Sequence, residues 1–152
     1  MIIRPATPQD SDDLFTWRND QQTRAMSISI DEVAHADHDR WFDATLSNPN
    51  RVLYIGEVDN NKIGMCRFDI GEDKTAIVSI NLNPLMRGKG WSVEFLKRSI
   101  DTFWEISKID LNATIKHNNT ASIKCFENIG FVHKTSDDNF HDYVLRYKRM
   151  QL

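Results

Sequence analysis

Arg87-Gly88-Lys89-Gly90-Trp91-Ser92 is the run whose residue types and spacing best suit chemistry. It follows Ser79-Ile80-Asn81-Leu82, read as the end of a strand, and precedes a helical pattern. Gly88 and Gly90 carry no Cβ, so the backbone can bend sharply there and a ligand can approach it closely. The first amides of the following helix lack internal partners and sit at the positive end of its dipole. Such an end suits a phosphate or pyrophosphate, and Arg87 and Lys89 add full positive charges beside it. The same residues would also serve as a plain connection with two solvated cations. Neither standard glycine motif is present. No stretch has the G-x-x-x-x-G-K-S/T spacing, and G-x-G-x-x-G fails at Val93, where the third glycine belongs.

A second group lies earlier. His35 and His38 are three apart and share a helix face, as do His38 and Trp41. Two histidines need a third ligand to hold a metal, and none is evident, so no metal is expected. Either this is a partly exposed helix face, or His38 or Trp41 faces a substrate cleft. Cys66 and Cys125 stand in apolar contexts without C-x-x-C spacing and read as buried free thiols. A formal net charge of −3 argues against a broad grip on nucleic acid. The opening Met-Ile-Ile-Arg-Pro lacks a charged-then-apolar leader, and no apolar run approaches membrane-spanning length. The expectation is a cytoplasmic protein, with one domain over residues 1–152.

The elements that must position these residues follow in order. Residues 2–6 read as a strand, and Thr7-Pro8-Gln9-Asp10 starts a helix with Leu14, Phe15 and Trp17 on its apolar side. A polar stretch leads to Ser29-Ile30-Asp31-Glu32, a capping box that predicts a helix from Asp31 to Leu46. Strands are predicted over 51–58, 62–70 and 75–82, with Asp59-Asn60-Asn61 and Gly71-Glu72-Asp73 as turns. From Gly90 to Ile106, Val93, Leu96, Ile100 and Phe103 mark one buried helical stripe. A strand over 111–115 completes a βαβ unit, so the strands before and after the helix should be parallel. Ligands bind beyond the carboxyl ends of such strands, where loops 83–90 and 117–119 lie. A helix over 120–128, stopped by Gly130, a short strand at Phe131-Val132, a polar loop over 136–139 and a last strand over 143–150 follow. Whether that last strand pairs with a second copy, giving a homodimer, stays open.

With this order in hand, two separated motifs make the chain resemble the GCN5-related N-acetyltransferase (GNAT) family. The family's loop Gln/Arg-x-x-Gly-x-Gly/Ala is matched at Arg87 and Gly90 and departs at Ser92, which is still small. Its Asn-x-x-Ser/Ala … Tyr/Phe-Glu-x-x-Gly-Phe motif stands as Asn119 to Ser122 and then Phe126-Glu127-Asn128-Ile129-Gly130-Phe131. The resemblance implies an acyl-CoA N-acyltransferase fold: an α/β (α+β) protein whose central mixed, mostly antiparallel sheet has one splayed parallel pair, with helices on both faces. It implies acetyl-CoA as co-substrate. The pantetheine arm would pair with Ile80 to Leu82, the pyrophosphate would sit on residues 88 to 92 (Gly88, Lys89, Gly90, Trp91, Ser92) beside Arg87, and Asn119, Ser122 and Phe126 would complete the cofactor wall.

The implied reaction is direct transfer of acetyl to a neutral amine, which a base or water chain must first deprotonate. An oriented amide near Leu82 could hold the oxyanion. Many relatives carry a carboxylate on the strand before the loop, but Ser79 and Asn81 stand there. Many place a tyrosine acid where Phe126 stands. Base candidates are His38, His117, Asp69, or water held by Ser79 and Asn81. In the amino-terminal half, Trp17-Arg18-Asn19-Asp20, His38-Asp39-Arg40-Trp41-Phe42 and Ile63 to Asp69 resemble a branch holding ribosomal-protein N-terminal acetyltransferases and acetyltransferases of 4-amino-4,6-dideoxy nucleotide sugars. The pattern leans to the sugar enzymes. Trp17 or Trp41 could stack on a base or sugar, and Arg18, Arg24 or Arg67 could meet a diphosphate, with Asn19 beside them. Trp17 could equally be core, and Arg67 could pair with Asp69. A small-molecule acceptor is expected; a protein N-terminus and a non-catalytic CoA-binding module are the alternatives.

Overall fold

A computed structural model describes residues 1–148. The chain starts with β1 (Ile2–Pro5), a 3-10 turn (Pro8–Asp10) and α1 (Ser11–Asn19). Asp10 accepts the Thr7 amide at 2.8 Å, so the capping signature does start this helix, through one tight turn. The polar stretch that follows forms a helix the sequence did not announce, α2 (Gln21–Met26), started by Asp20, whose carboxylate accepts Thr23 N at 3.0 Å. Its residues are all at least partly exposed, so it shows no apolar period.

The next helix, α3 (His35–Ser47), begins later than predicted. Residues 31–34 stay out of it because Asn19 seizes Val33 on both sides: Asn19 Nδ2 donates to Val33 O at 2.9 Å, and Val33 N donates to Asn19 Oδ1 at 2.8 Å. The capping-box residues Ser29 and Glu32 therefore belong to a strap rather than a helix start.

The meander follows as predicted, with β2 (Arg51–Val58), β3 (Asn61–Ile70) and β4 (Ala76–Leu82). Asp59 and Asn60 both take positive φ, 50° and 66°, which suits the twist of a tight hairpin. A 3-10 turn (Pro84–Met86) and the glycine loop lead to α4 (Ser92–Ile106), then β5 (Leu111–Lys116) and α5 (Thr120–Ile129). β6 (Val132–Ser136) is longer than predicted and β7 (Phe140–Leu145) starts and stops earlier. Asp137 accepts the amides of Asn139 and Phe140 and tightens the hairpin. After Leu145, Tyr147 N turns to Asp110 Oδ1 at 2.8 Å, away from the sheet. The predicted end of that strand at Met150 lies outside the described residues.

The seven strands form one sheet in the order β1-β2-β3-β4-β5-β7-β6. Every neighbour is antiparallel except β4 and β5, which run parallel and pair only at Ala76 with Leu111 and Ile77 with Asn112. The larger core lies under α4 and α5, where Phe95, Leu96, Ile100 and Phe103 are buried and Phe103 stacks on Phe68 at 4.2 Å. The smaller core packs Leu14, Trp17 and Phe42 of α1 and α3 on Leu53, Ile55 and Met65 of the other face. The expected mixed sheet with helices on both faces is thus observed. Among the described residues, no helix is long and apolar enough to cross a membrane.

Candidate active site

Beyond Ile77 and Asn112, β4 and β5 have no further paired residues, and the strands part toward their carboxyl ends. A cleft of about 670 Å³ occupies the opening. Side chains alternate along a strand, so Ser79 and Asn81 point to the face of α1 and α3, opposite Arg67 and Met65 in the register. Val78 and Ile80 point to the face of α4 and α5. All of these line the cleft, with Leu82.

One half of the cleft is built from the glycine loop and α5. Gly88 and Gly90 take φ of 71° and 79°, and a Cβ at either would meet no atom within 4 Å. The loop is thus left-handed at two points and open above them, as a close backbone approach requires. α4 then starts at Ser92 without a side-chain cap, which leaves its first amides for a ligand. Asn119 caps α5 by accepting Ser122 N at 3.2 Å, and Asn119, Ser122 and Phe126 all line the cleft. Phe126 is 3% exposed, set edge-on to Phe131. Cys125 also reaches this wall, but burial raises its thiol pKa, and burial pushes Cys66 up to about 12. Neither is a ready thiolate.

Three predicted cofactor residues stand differently. Lys89 is exposed and outside the cleft lining. Trp91 packs half-buried on the larger core, as its bulk favours. Arg87 lines the cleft but is already engaged: its Nη2 lies 2.5 Å from Asp20 Oδ2 and 2.6 Å from Thr23 Oγ1.

The other half gathers Trp17, Arg18, Trp41 and Arg67. The Arg18 and Arg67 guanidinium carbons lie 5.3 and 5.4 Å from the centre of the Trp41 ring. Arg67 donates from Nε to Asp69 Oδ2 at 3.0 Å, so the expected strand-edge pair exists and still leaves Arg67 at the cleft. Arg18 has no carboxylate partner among the described residues. Burial, with help from the Arg67 charge, lowers its pKa. Trp17 is 4% exposed and belongs to the core, yet its edge reaches the cleft.

Two predicted residues are corrected. His38 is fully buried, not cleft-lining; its Nε2 lies 2.9 Å from Ser11 O, and burial lowers its pKa. Its helix face turns inward because Phe15, Trp41 and Phe42 pack around the ring. Asn19 spends its amide on Val33 and does not line the cleft. Of the other base candidates, His117 is exposed and stacked on His141 at 4.0 Å, and Asp69 is held between Arg67 and Arg51. Ser79 and Asn81 remain in place. The sequence reading missed Gln22, Thr23, Met26, the strap 27–33 and Lys116 as cleft-lining parts. Only the Asp20 cap could have pointed to them. Among the described residues, no group of three His, Cys, Asp or Glu side chains is placed to hold a metal ion.

The acetyltransferase (GNAT) domain profile matches residues 1–132, so this chain belongs to that family of acetyl-CoA-dependent acyltransferases. Among curated proteins none matches the sequence. Solved structures share the fold at low identity. The spermidine N-acetyltransferase of Vibrio cholerae, in complex with CoA and spermine, is 13% identical, with a TM-score of 0.86 and coverage of 96% of this chain and 95% of that one. The ribosomal-protein-alanine N-acetyltransferase of Brucella melitensis is 17% identical, with a TM-score of 0.80 and coverage of 96% and 99%. The Campylobacter jejuni N-acetyltransferase PseH, in complex with acetyl coenzyme A, is 16% identical, with a TM-score of 0.75 and coverage of 97% and 100%.

Proposed function

We propose that this protein transfers acetyl from acetyl-CoA to the primary amine of a small anionic acceptor in the cytoplasm, and that the acceptor is a UDP-linked 4-amino-4,6-dideoxy sugar. The observation that carries the reading is the Trp41 ring flanked by Arg18 and Arg67 in the cleft half remote from α5. A ring offers a stacking face for a uracil or sugar, and two guanidinium groups match a diphosphate bidentately. The same charges repel a polyamine, so the acceptor of the Vibrio enzyme does not suit this site.

In this reading the pantetheine arm lies along Ile80 to Leu82, where β4 lacks a β5 partner, and Asn119 and Ser122 line its other side. The pyrophosphate rests on the amides of residues 88 to 92. The acceptor arrives as an ammonium and must lose a proton before its nitrogen can attack. Water between Ser79 and Asn81 carries that proton away. Phe126 offers no acid, and the thiolate leaves unassisted.

The test is thiol release from acetyl-CoA with the UDP-linked amino sugar, with mixed amino-terminal peptides and with spermidine. Release with the sugar alone is expected. With Arg18→Ala the sugar-nucleotide KM should rise about tenfold while the acetyl-CoA KM holds, as removal of one charge-assisted hydrogen bond would give. Release with peptides or spermidine alone would overturn the acceptor assignment. CoA binding with no release on any amine would indicate a non-catalytic module.

A further inference from the structure

α2 is held at both ends by residues of the cleft and by little else. At its start, the Arg87 guanidinium reaches Asp20 and Thr23 through Nη2 and lies 3.4 Å from Gln22 Oε1 through Nη1. Near its end, Lys116 Nζ, at the tip of β5, donates to Ala25 O at 3.0 Å. The helix has six residues and none is buried, so neither length nor packing holds it. It therefore stands across the mouth of the wedge, one end tied to the glycine loop after β4 and the other to the end of β5. Arg24 Nε also donates to Asn19 O at 3.2 Å, and Asn19 holds the strap through Val33. One chain of polar contacts thus runs from the glycine loop through α2 to the strap, and both line the cleft.

We propose that Asp20 is a positioning residue that, through Arg87, makes donor binding organise α2 and the strap, two parts of the cleft wall. The proposal rests on the pyrophosphate lying at residues 88 to 92. The Arg87 fork is only partly used: Nη2 serves α2, Nη1 has one long contact, and Nε has no partner among the described residues. A planar guanidinium presents its donors on more than one edge, so it can grip two anions at once, as a lysine ammonium does less well. A pyrophosphate on the free edge would fix the fork, and the fixed fork would fix Asp20, α2 and the strap. Coupling of this kind is reciprocal: what CoA does for α2, the grip on α2 does for CoA.

Asp20→Asn isolates the ion pair, because asparagine caps a helix as well as aspartate does. Arg87→Lys keeps the positive charge and removes the fork. Hydrogen–deuterium exchange with CoA as the probe reads both segments. In the natural sequence CoA should slow exchange over 20–27 by about tenfold, within the usual range of coupling. In Asp20→Asn and Arg87→Lys, with CoA raised to saturate each weakened variant, that slowing should vanish, while slowing over 88–95 persists. Faster or unchanged exchange over 20–27 with CoA, or slowing retained in both variants, would overturn the proposal. Absence of slowing over 88–95 in the natural sequence would instead overturn the pyrophosphate assignment on which it rests.

Discussion

Single residues act here through partners that the chain order hides. Asp10 is 1% exposed and takes hydrogen bonds from Arg4 at 2.8 and 2.9 Å, with Lys62 Nζ also at 2.8 Å. Burial alone would raise its pKa, but the bonds from Arg4, Lys62 and the Thr7 amide outweigh it and hold the carboxyl well below its usual range. A depressed pKa contributes stability above the unfolded value, near 4, that is lost as pH falls toward the folded value. Asp10→Asn should lower unfolding stability by about 1–3 kcal/mol at neutral pH in urea titrations, since it weakens the charge-assisted bonds from Arg4 and Lys62, while Arg4 keeps Glu57 and Lys62 keeps Asp13. It should also flatten the loss of stability below about pH 4. Gly88→Val is a residue-scale test of another kind. At φ of 71° a β-branched side chain is strained and would stand over the loop proposed to carry the pyrophosphate. The acetyl-CoA KM should rise about tenfold or more in steady-state kinetics, with the fold kept by circular dichroism. The residue types at the cleft are readable in the sequence. Their allegiances are not, since Asn19 meets Val33, His38 meets Ser11 and Arg87 meets Asp20 across long stretches of chain.

Elements are legible where a period or a turn announces them. α4 carries its stripe openly, and β2 and β3 are separated by a turn that needs positive φ, where asparagine and aspartate are tolerated. α2 is invisible because a helix without a buried face has no period to detect. The start of α3 is hidden because a capping signature is local, and the Asn19 clamp on Val33 overrides it from another element. The splay of β4 from β5 is implied by family resemblance alone, as no residue pattern marks where pairing stops. α4 fills the centre of the larger core, with Phe103 fully buried against Phe68 of β3. Phe103→Ala should therefore cost about 3–5 kcal/mol by denaturant unfolding, through reduced burial and the cavity left behind.

At the scale of the whole molecule, the sheet is two antiparallel halves joined by two parallel pairs. A ligand in the wedge would touch both halves, so CoA should stabilise the entire fold rather than one loop. At a hundredfold its Kd the gain is about 2.7 kcal/mol, which for a chain of this size is a melting shift of roughly 5–10 °C in calorimetry. The two-pair seam also bears on how the chain assembles in time. β2, β3 and β4 are joined by short turns and can zip together early, whereas β5 meets β4 only across the whole of α4. Low sequence separation favours early contacts. In stopped-flow folding, Ile63→Ala within the meander should slow folding, while Leu111→Ala at the seam should chiefly speed unfolding. The carboxyl-terminal half would then dock last, onto a meander already formed, with the two pairs at the seam as its only backbone ladder to that meander among the described residues.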